Sequence, residues 1–317
     1  MKLLVTRRMT QAAESLISAR FDATFLPDSP GLSPADAARA LMDYDLVMPT
    51  LGDGFDKAAF AQQGIRCKLL ANFGAGFNHI DIEAARAAGV AVTNTPEVVT
   101  NSTADIAMTL LLMSARRAGE GERLVRAGEW EGWQPTQLLG THVSGKTVGI
   151  IGMGRIGKAI ARRCHFGFDM RVVFYNRSTV SALDFPAEQI PDLHDMLSQC
   201  NFAVVAVPGG AGTRHLIGAT ELERLGRAGH IVNIARGDVV DEAALIHALE
   251  RGAIAGAGLD VYEREPVVPD ALKALPNVTL LPHLGTATEE SRTAMASRAL
   301  DNLIAFAEGR NLPDRVA

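Results

Sequence analysis

Cysteine is scarce: Cys67, Cys164 and Cys200 are the only three thiols in 317 residues, and no two share a CxxC spacing. So odd and scattered a set excludes a disulfide framework and makes a reducing, cytoplasmic setting the expectation. Aromatics reach only 5%, and basic residues number 31 against 36 acidic ones, for a net charge of −5. That balance lacks the basic stripe that a nucleic-acid partner requires. No apolar run approaches the roughly 18 residues of a membrane-spanning helix. "MKLLVTRR" reaches a charge pair too early for a secretory signal. None of the histidines forms an HxxxH or HExxH pair, so no metal site is expected.

Short apolar runs alternate with helical patterns along the whole chain. "KLLVT" precedes a helical stretch from Thr10 to Ala19, "DLVMP" one from Asp56 to Gln63, and "KLLANF" one from Asp81 to Ala88, before "VAVTNTP" closes the series. The rhythm restarts at "KTVGIIG" and runs through "RVVFYN", "FAVVAVP", "HIVNIA", "AGAGLDV" and "VTLLPH". Strand, helix, strand repeated in this way predicts an α/β fold with two doubly wound parallel-sheet domains. Between the series, Asn101, Ser102 and Thr103 read as caps of a helix that is apolar on nearly every side from Ala104 to Ala115. Packing within one domain and packing at a subunit interface both explain it. A last helix is expected from Thr288 to Glu308.

"TVGIIGMGRIGKAIARRC" places Gly152, Gly154 and Gly157 between an apolar strand and a helix. The first glycine permits a tight turn, the second lets backbone approach a pyrophosphate, and the third lets helix and strand pack closely. The helix N-terminus then offers N–H groups to phosphate. A dinucleotide is the expected ligand; a tight turn without one is the alternative. The next strand, "VVFYNRS", ends where a ribose-binding carboxylate is expected, 176 − 152 = 24 residues on, yet carries Asn176, Arg177 and Ser178. An amide removes the repulsion of a 2′-phosphate, and a guanidinium with a hydroxyl can bind one. NADP is therefore expected over NAD, unless Arg177 is simply solvated and Asn176 holds the ribose.

Three later strands end in polar residues: Arg236 in "NIARGDVVDE", Glu265 in "DVYEREP" and His283 in "LLPHLGTAT". Such positions gather at the carboxyl edge of an open parallel sheet. With "NFGAGFNHID", whose N–H groups near Ala75 and Gly76 could form an anion nest, these motifs resemble the D-isomer-specific 2-hydroxyacid dehydrogenases over essentially the whole chain. "TADIAMTLLLMSARR", "RAGEWEGWQP" and "FYNRS" are most similar to the glyoxylate and hydroxypyruvate reductases.

The resemblance implies a Rossmann nucleotide domain, 99–285, inserted into a flavodoxin-like substrate domain, 1–98 and 286–317, and a homodimer. It implies catalysis by Arg236, Glu265 and His283. His283 would donate a proton to a carbonyl oxygen, Glu265 would favour its imidazolium, and Arg236 would hold the substrate. It assigns the substrate carboxylate to Ala75 and Gly76, and the nicotinamide carboxamide to Asp260. Arg155 and Ile156 in the glycine turn, with Thr103, Pro208, Arg214, Ala235 and Gly285, resemble further cofactor positions. Trp133 is either a substrate-selecting residue that reaches into the other protomer or ordinary interface packing. Asn78 and His79 read as structural. "VPGGAGTRHLI" departs from the more polar loop that many members carry there. Reduction of small 2-keto acids is the expected activity; a broader 2-keto acid reductase, an NAD-using phosphoglycerate-type dehydrogenase and a non-catalytic dinucleotide sensor are its rivals. Regulation by an appended domain is not expected after Ala317.

Overall fold

Both strand–helix series fold into wholly parallel sheets in the computed structural model, which describes residues 1–317. One unit comprises Met1–Val99 with Thr286–Ala317, the other Thr100–Gly285. The first holds β1 (Lys2–Val5), α1 (Gln11–Ser18), β2 (Asp22–Phe25), α2 (Pro34–Asp43), β3 (Leu46–Met48), β4 (Leu69–Ala71), α3 (Ile82–Ala87) and β5 (Ala91–Thr93). Its strands lie in the order β2-β1-β3-β4-β5, the flavodoxin-like winding.

The second unit opens with α4 (Thr100–Arg116) and α5 (Ala118–Arg126) and continues through β6 (Thr147–Ile151), α6 (Arg155–Phe168), β7 (Arg171–Tyr175), β8 (Glu188–Gln189) and α7 (Leu193–Leu197). Then follow β9 (Phe202–Val205), α8 (Ala219–Leu225), β10 (His230–Asn233), α9 (Glu242–Glu250), β11 (Gly256–Leu259), α10 (Asp270–Ala274) and β12 (Val278–Leu280). The order β12-β11-β10-β9-β6-β7-β8 reverses direction between β6 and β9. That reversal opens a crevice at the carboxyl ends of the strands, the ligand position in sheets of this kind. β9 and β10 are buried at every residue, as strands covered on both faces must be. The chain ends in α11 (Glu289–Ala307), which packs on α1 and β4.

Two local expectations fail, and two elements form without having been expected. The stretch from Asp56 to Gln63 forms only a single 3-10 turn, Ala59–Ala61, because only Ala59 and Phe60 find a core and Gly64 turns left-handed at φ +75°. α4 starts at Thr100, so Asn101, Ser102 and Thr103 lie within its first turn, and the last two are buried. β2 and α2 follow no quoted motif, although Ser33 caps α2 ahead of Pro34, its Oγ accepting from the Asp36 N–H at 3.2 Å. The apolar faces of α4 are largely used inside its own unit: Ala104, Ala107, Leu110, Leu111 and Ala115 are buried, and the helix packs on α6, β10 and β11.

Candidate active site

The glycine turn stands at the reversal point. Gly152 adopts φ +99°, and a Cβ there would lie 2.9 Å from the Ala206 carbonyl carbon, so both its conformation and its room require glycine. A Cβ on Gly157 would lie 2.1 Å from the Gly152 oxygen. Gly154 is different. Nothing lies within 4 Å of the position its Cβ would take, so the protein itself does not demand a glycine there. Gly154 leads into Arg155, Ile156 and Gly157 at the start of α6, which has no side-chain cap. Open room beside an uncapped helix start fits a pyrophosphate.

At the tip of β7, Asn176 accepts from the Met153 N–H at 3.2 Å and donates to the Ser178 carbonyl at 2.8 Å. Its amide thus ties the strand tip to the glycine turn. Arg177 and Ser178 are exposed beyond it.

The loop after β9 carries Pro208 and Arg214. The Thr213 hydroxyl closes it by donating to the Pro208 carbonyl at 2.7 Å, while Arg214 and His215 reach Glu263 at 3.4 and 3.0 Å. At the end of β10, buried Asn233 forms a small frame. Its oxygen accepts from the Ala235 N–H at 3.0 Å and its amide donates to the Arg236 carbonyl at 2.9 Å. Arg236 leaves this turn half-buried. Burial lowers its pKa, opposed by the nearby charges of Glu265 and Asp238. A Cβ on Gly237 would stand 1.8 Å from the Tyr262 carbonyl carbon, so the loop after Arg236 is pressed against the loop that bears Glu265.

Asp260, at the end of β11, is buried and accepts from the N–H groups of Leu284 and Gly285 at 2.6 and 2.8 Å. This fixes the turn on which His283 sits, left-handed at φ +55°. Thr103 lies beside it, within 3.5 Å of where a Gly285 Cβ would be. Burial raises the Asp260 pKa against the pull of those two donors and of His283. The Tyr262 hydroxyl donates to the Leu281 carbonyl at 2.9 Å, and its N–H donates to Glu265 at 3.1 Å. Glu265 and His283 then meet, Oε2 to Nδ1, at 2.8 Å. A carboxylate only accepts, so Nδ1 carries the proton and Nε2 is left to exchange one. Burial pushes the Glu265 pKa up, but the His283 bond and charge, the Tyr262 N–H and Arg236 together bring it below the usual value. An apolar cavity of about 340 Å³, lined by Tyr262, Val268, Leu280 and Leu281, backs the pair.

Residues 108–285 match the model of the NAD-binding domain of D-isomer specific 2-hydroxyacid dehydrogenases. The chain belongs to that family. Among its relatives in the 2-hydroxyacid dehydrogenase family, the glyoxylate reductase of Thermococcus gammatolerans is 41% identical over 99% of this chain and 95% of its own length. The NADPH-dependent glyoxylate/hydroxypyruvate reductase of Sinorhizobium meliloti, solved in complex with NADP and malonate, superposes with a TM-score of 0.87. It is 36% identical, over 100% of this chain and 96% of that one. A glyoxylate reductase from Paecilomyes thermophila gives 0.87 at 33% identity, over 100% and 98%.

Within this dehydrogenase, the structure gathers Arg236, Glu265, His283, Asp260, Ala235, Gly285 and Thr103 in the second unit, with the glycine turn and Asn176 at the crevice. Ala75 and Gly76 follow β4 in the first unit. Trp133 joins neither group; it is 81% exposed on the segment after α5. Asn233 and Tyr262 escape motif reading, and their signal is only a polar residue that ends an otherwise apolar strand and an aromatic inside "DVYE".

Proposed function

We propose that this protein is an NADP(H)-preferring reductase of small 2-keto acids, glyoxylate and hydroxypyruvate among them, giving the D-2-hydroxy acid where a stereocentre forms. The Glu265–His283 pair, 2.8 Å apart and close enough to Arg236 for its charge to act on Glu265, carries the reading. When bound, the reduced nicotinamide supplies hydride to the carbonyl carbon. His283 gives the proton on Nε2 to the carbonyl oxygen as negative charge grows there, and Glu265 keeps the imidazolium available for that step. Arg236 holds the carboxylate or carbonyl oxygen with a rigid fork of donors. Ala75 and Gly76 offer N–H groups to the carboxylate. The Asp260 oxygens retain lone pairs for the carboxamide, and Thr103, Pro208, Arg214, Ala235 and Gly285 contribute to the cofactor's bed.

The NADP preference is supported by the exposed, unpaired Arg177 beside Ser178 and by the absence of a carboxylate at Asn176. A homodimer is supported by the exposed apolar side chains of Val125, Trp130, Trp133 and Leu139, all on one segment. In that dimer Trp133 shapes the substrate pocket of the other protomer. Three free, buried cysteines fit a reducing, cytoplasmic setting.

Steady-state rates with glyoxylate, hydroxypyruvate, pyruvate and a bulky 2-keto acid, each with NADPH and NADH, test the proposal. The two small substrates with NADPH are expected to give the highest kcat/KM, and no turnover with any keto acid would overturn the enzyme reading. Arg177→Ala should weaken NADPH by about tenfold while leaving NADH nearly unchanged; equal losses remove the phosphate role.

A further inference from the structure

The turn that bears Ala75 and Gly76 lacks the backbone geometry expected of an anion nest. Such a concavity alternates right- and left-handed residues, yet neither Gly74 nor Gly76 is left-handed. Its peptide planes are instead held from the carbonyl side. The carbonyls of Gly74 and Gly76 both accept from the Asn72 amide, at 2.9 and 3.0 Å. The carbonyl between them, on Ala75, accepts from the Asn94 amide at 2.8 Å. Gly74 also receives the Thr95 N–H at 3.0 Å.

Topology explains how two asparagines reach one turn. β4 and β5 are parallel neighbours with Ala71 opposite Thr93, so the next residue of each strand, Asn72 and Asn94, emerges at the same level. In a planar trans peptide, each carbonyl points away from the N–H that follows it. Pinning the carbonyls of residues 74, 75 and 76 therefore fixes the directions of the N–H groups of Ala75, Gly76 and Phe77. None of these three donates to an acceptor in the chain, and all three residues are partly exposed.

The arrangement has a cost. Asn72 is fully buried, and its side-chain oxygen has no donor, a loss of about 1–3 kcal/mol for a buried polar atom. A cation stands close by: the Arg292 guanidinium of α11 lies 6.0 Å over the ring of Phe73, the residue just before the turn.

We propose that Asn72 and Asn94 are positioning residues that turn the 75–77 backbone into a strip of N–H donors for a carboxylate. They act through the peptide planes and touch no ligand themselves. The inference rests on the 2-keto acid reading, which supplies the carboxylate, and goes beyond it in naming what holds the donors.

Asn94 is only half-buried, so it is the residue to change; Asn94→Asp keeps the size and loses the donor. Oxalate titrated calorimetrically into parent and variant reads the strip without turnover. The dissociation constant is expected to rise about tenfold or more. The KM for glyoxylate should rise similarly, while kcat stays within about threefold and the NADPH dissociation constant within about twofold. Asn94→Ala, with a thermal melt as control, repeats the test without adding charge. A folded Asn94→Asp protein that binds oxalate as tightly as the parent overturns the proposal, and so does an equal loss of NADPH affinity. A parent that reduces no short keto acid overturns the reductase reading instead. The strip is then judged by the same tenfold criterion on oxalate alone.

Discussion

His283 and His230 each have Nδ1 hydrogen-bonded to an oxygen, at 2.8 and 2.9 Å, yet only one of them is equipped to move a proton. They occupy opposite edges of the same sheet. His283 follows β12 at the carboxyl edge, with about 30% of its side chain exposed and a carboxylate as partner. His230 begins β10 at the other edge, 3% exposed, between two neutral hydroxyls, Ser114 on Nδ1 and Thr141 on Nε2. Its ring also stacks on Phe202, centroids 5.2 Å apart. Burial without a charged partner drives its pKa down to about 4, which keeps it neutral at physiological pH. The imidazole is common to both sites. A neighbouring charge and an open second nitrogen distinguish a ring placed to exchange a proton from a structural cross-link.

The sharpest way to break this comparison is to remove each ring. His283→Ala should lower kcat for glyoxylate reduction by about 10²–10⁴-fold, the usual worth of a positioned acid. NADPH affinity, read by fluorescence, should stay within about twofold of the parent. His230→Gln, by contrast, should leave kcat near the parent value. Similar losses from both variants would mean that His283 serves the fold rather than the chemistry.

A smaller effect separates the two components of the His283 setting. Glu265→Gln keeps an acceptor on Nδ1 and removes the charge. The imidazolium that forms on proton exchange then has no counter-ion, so kcat for glyoxylate reduction should fall by about tenfold, well short of the loss from His283→Ala. A kcat equal to the parent's would show that Glu265 only orients the ring.

Much of the carboxyl edge is legible in the sequence, because chemistry there is confined to strand ends. Gly152, Gly154 and Gly157 are read from a turn flanked by strand and helix, and Arg236, Glu265 and His283 from polar residues that interrupt apolar runs. The supporting groups are not legible in this way. Asn233 closes a turn with its own neighbours and Tyr262 bonds to a carbonyl 19 residues away, contacts that no spacing rule encodes. Asn72 and Asn94 come together only through strand register. β2 is hard to read for another reason. It is a four-residue edge strand, only partly buried, and so lacks the apolar run that marks the central strands.

The smallest expected effect concerns His230 and appears in stability alone. Its pKa is about 4 in the folded chain against 6.5 for the free residue, so between these values the unfolded chain binds more protons than the folded one. Stability therefore rises with pH across that window. It is fully present above about pH 6.5, declines as pH falls, and levels off below about pH 4, where both states are protonated. Between pH 7 and pH 5 this one group should cost the parent about 2 kcal/mol. His230→Gln retains a hydrogen-bonding side chain and removes the titration, so its urea midpoints at pH 7 and pH 5 should lie closer together than the parent's. An equal gap in parent and variant would place the acid sensitivity elsewhere and leave the ring at the base of β10 without a protonation cost.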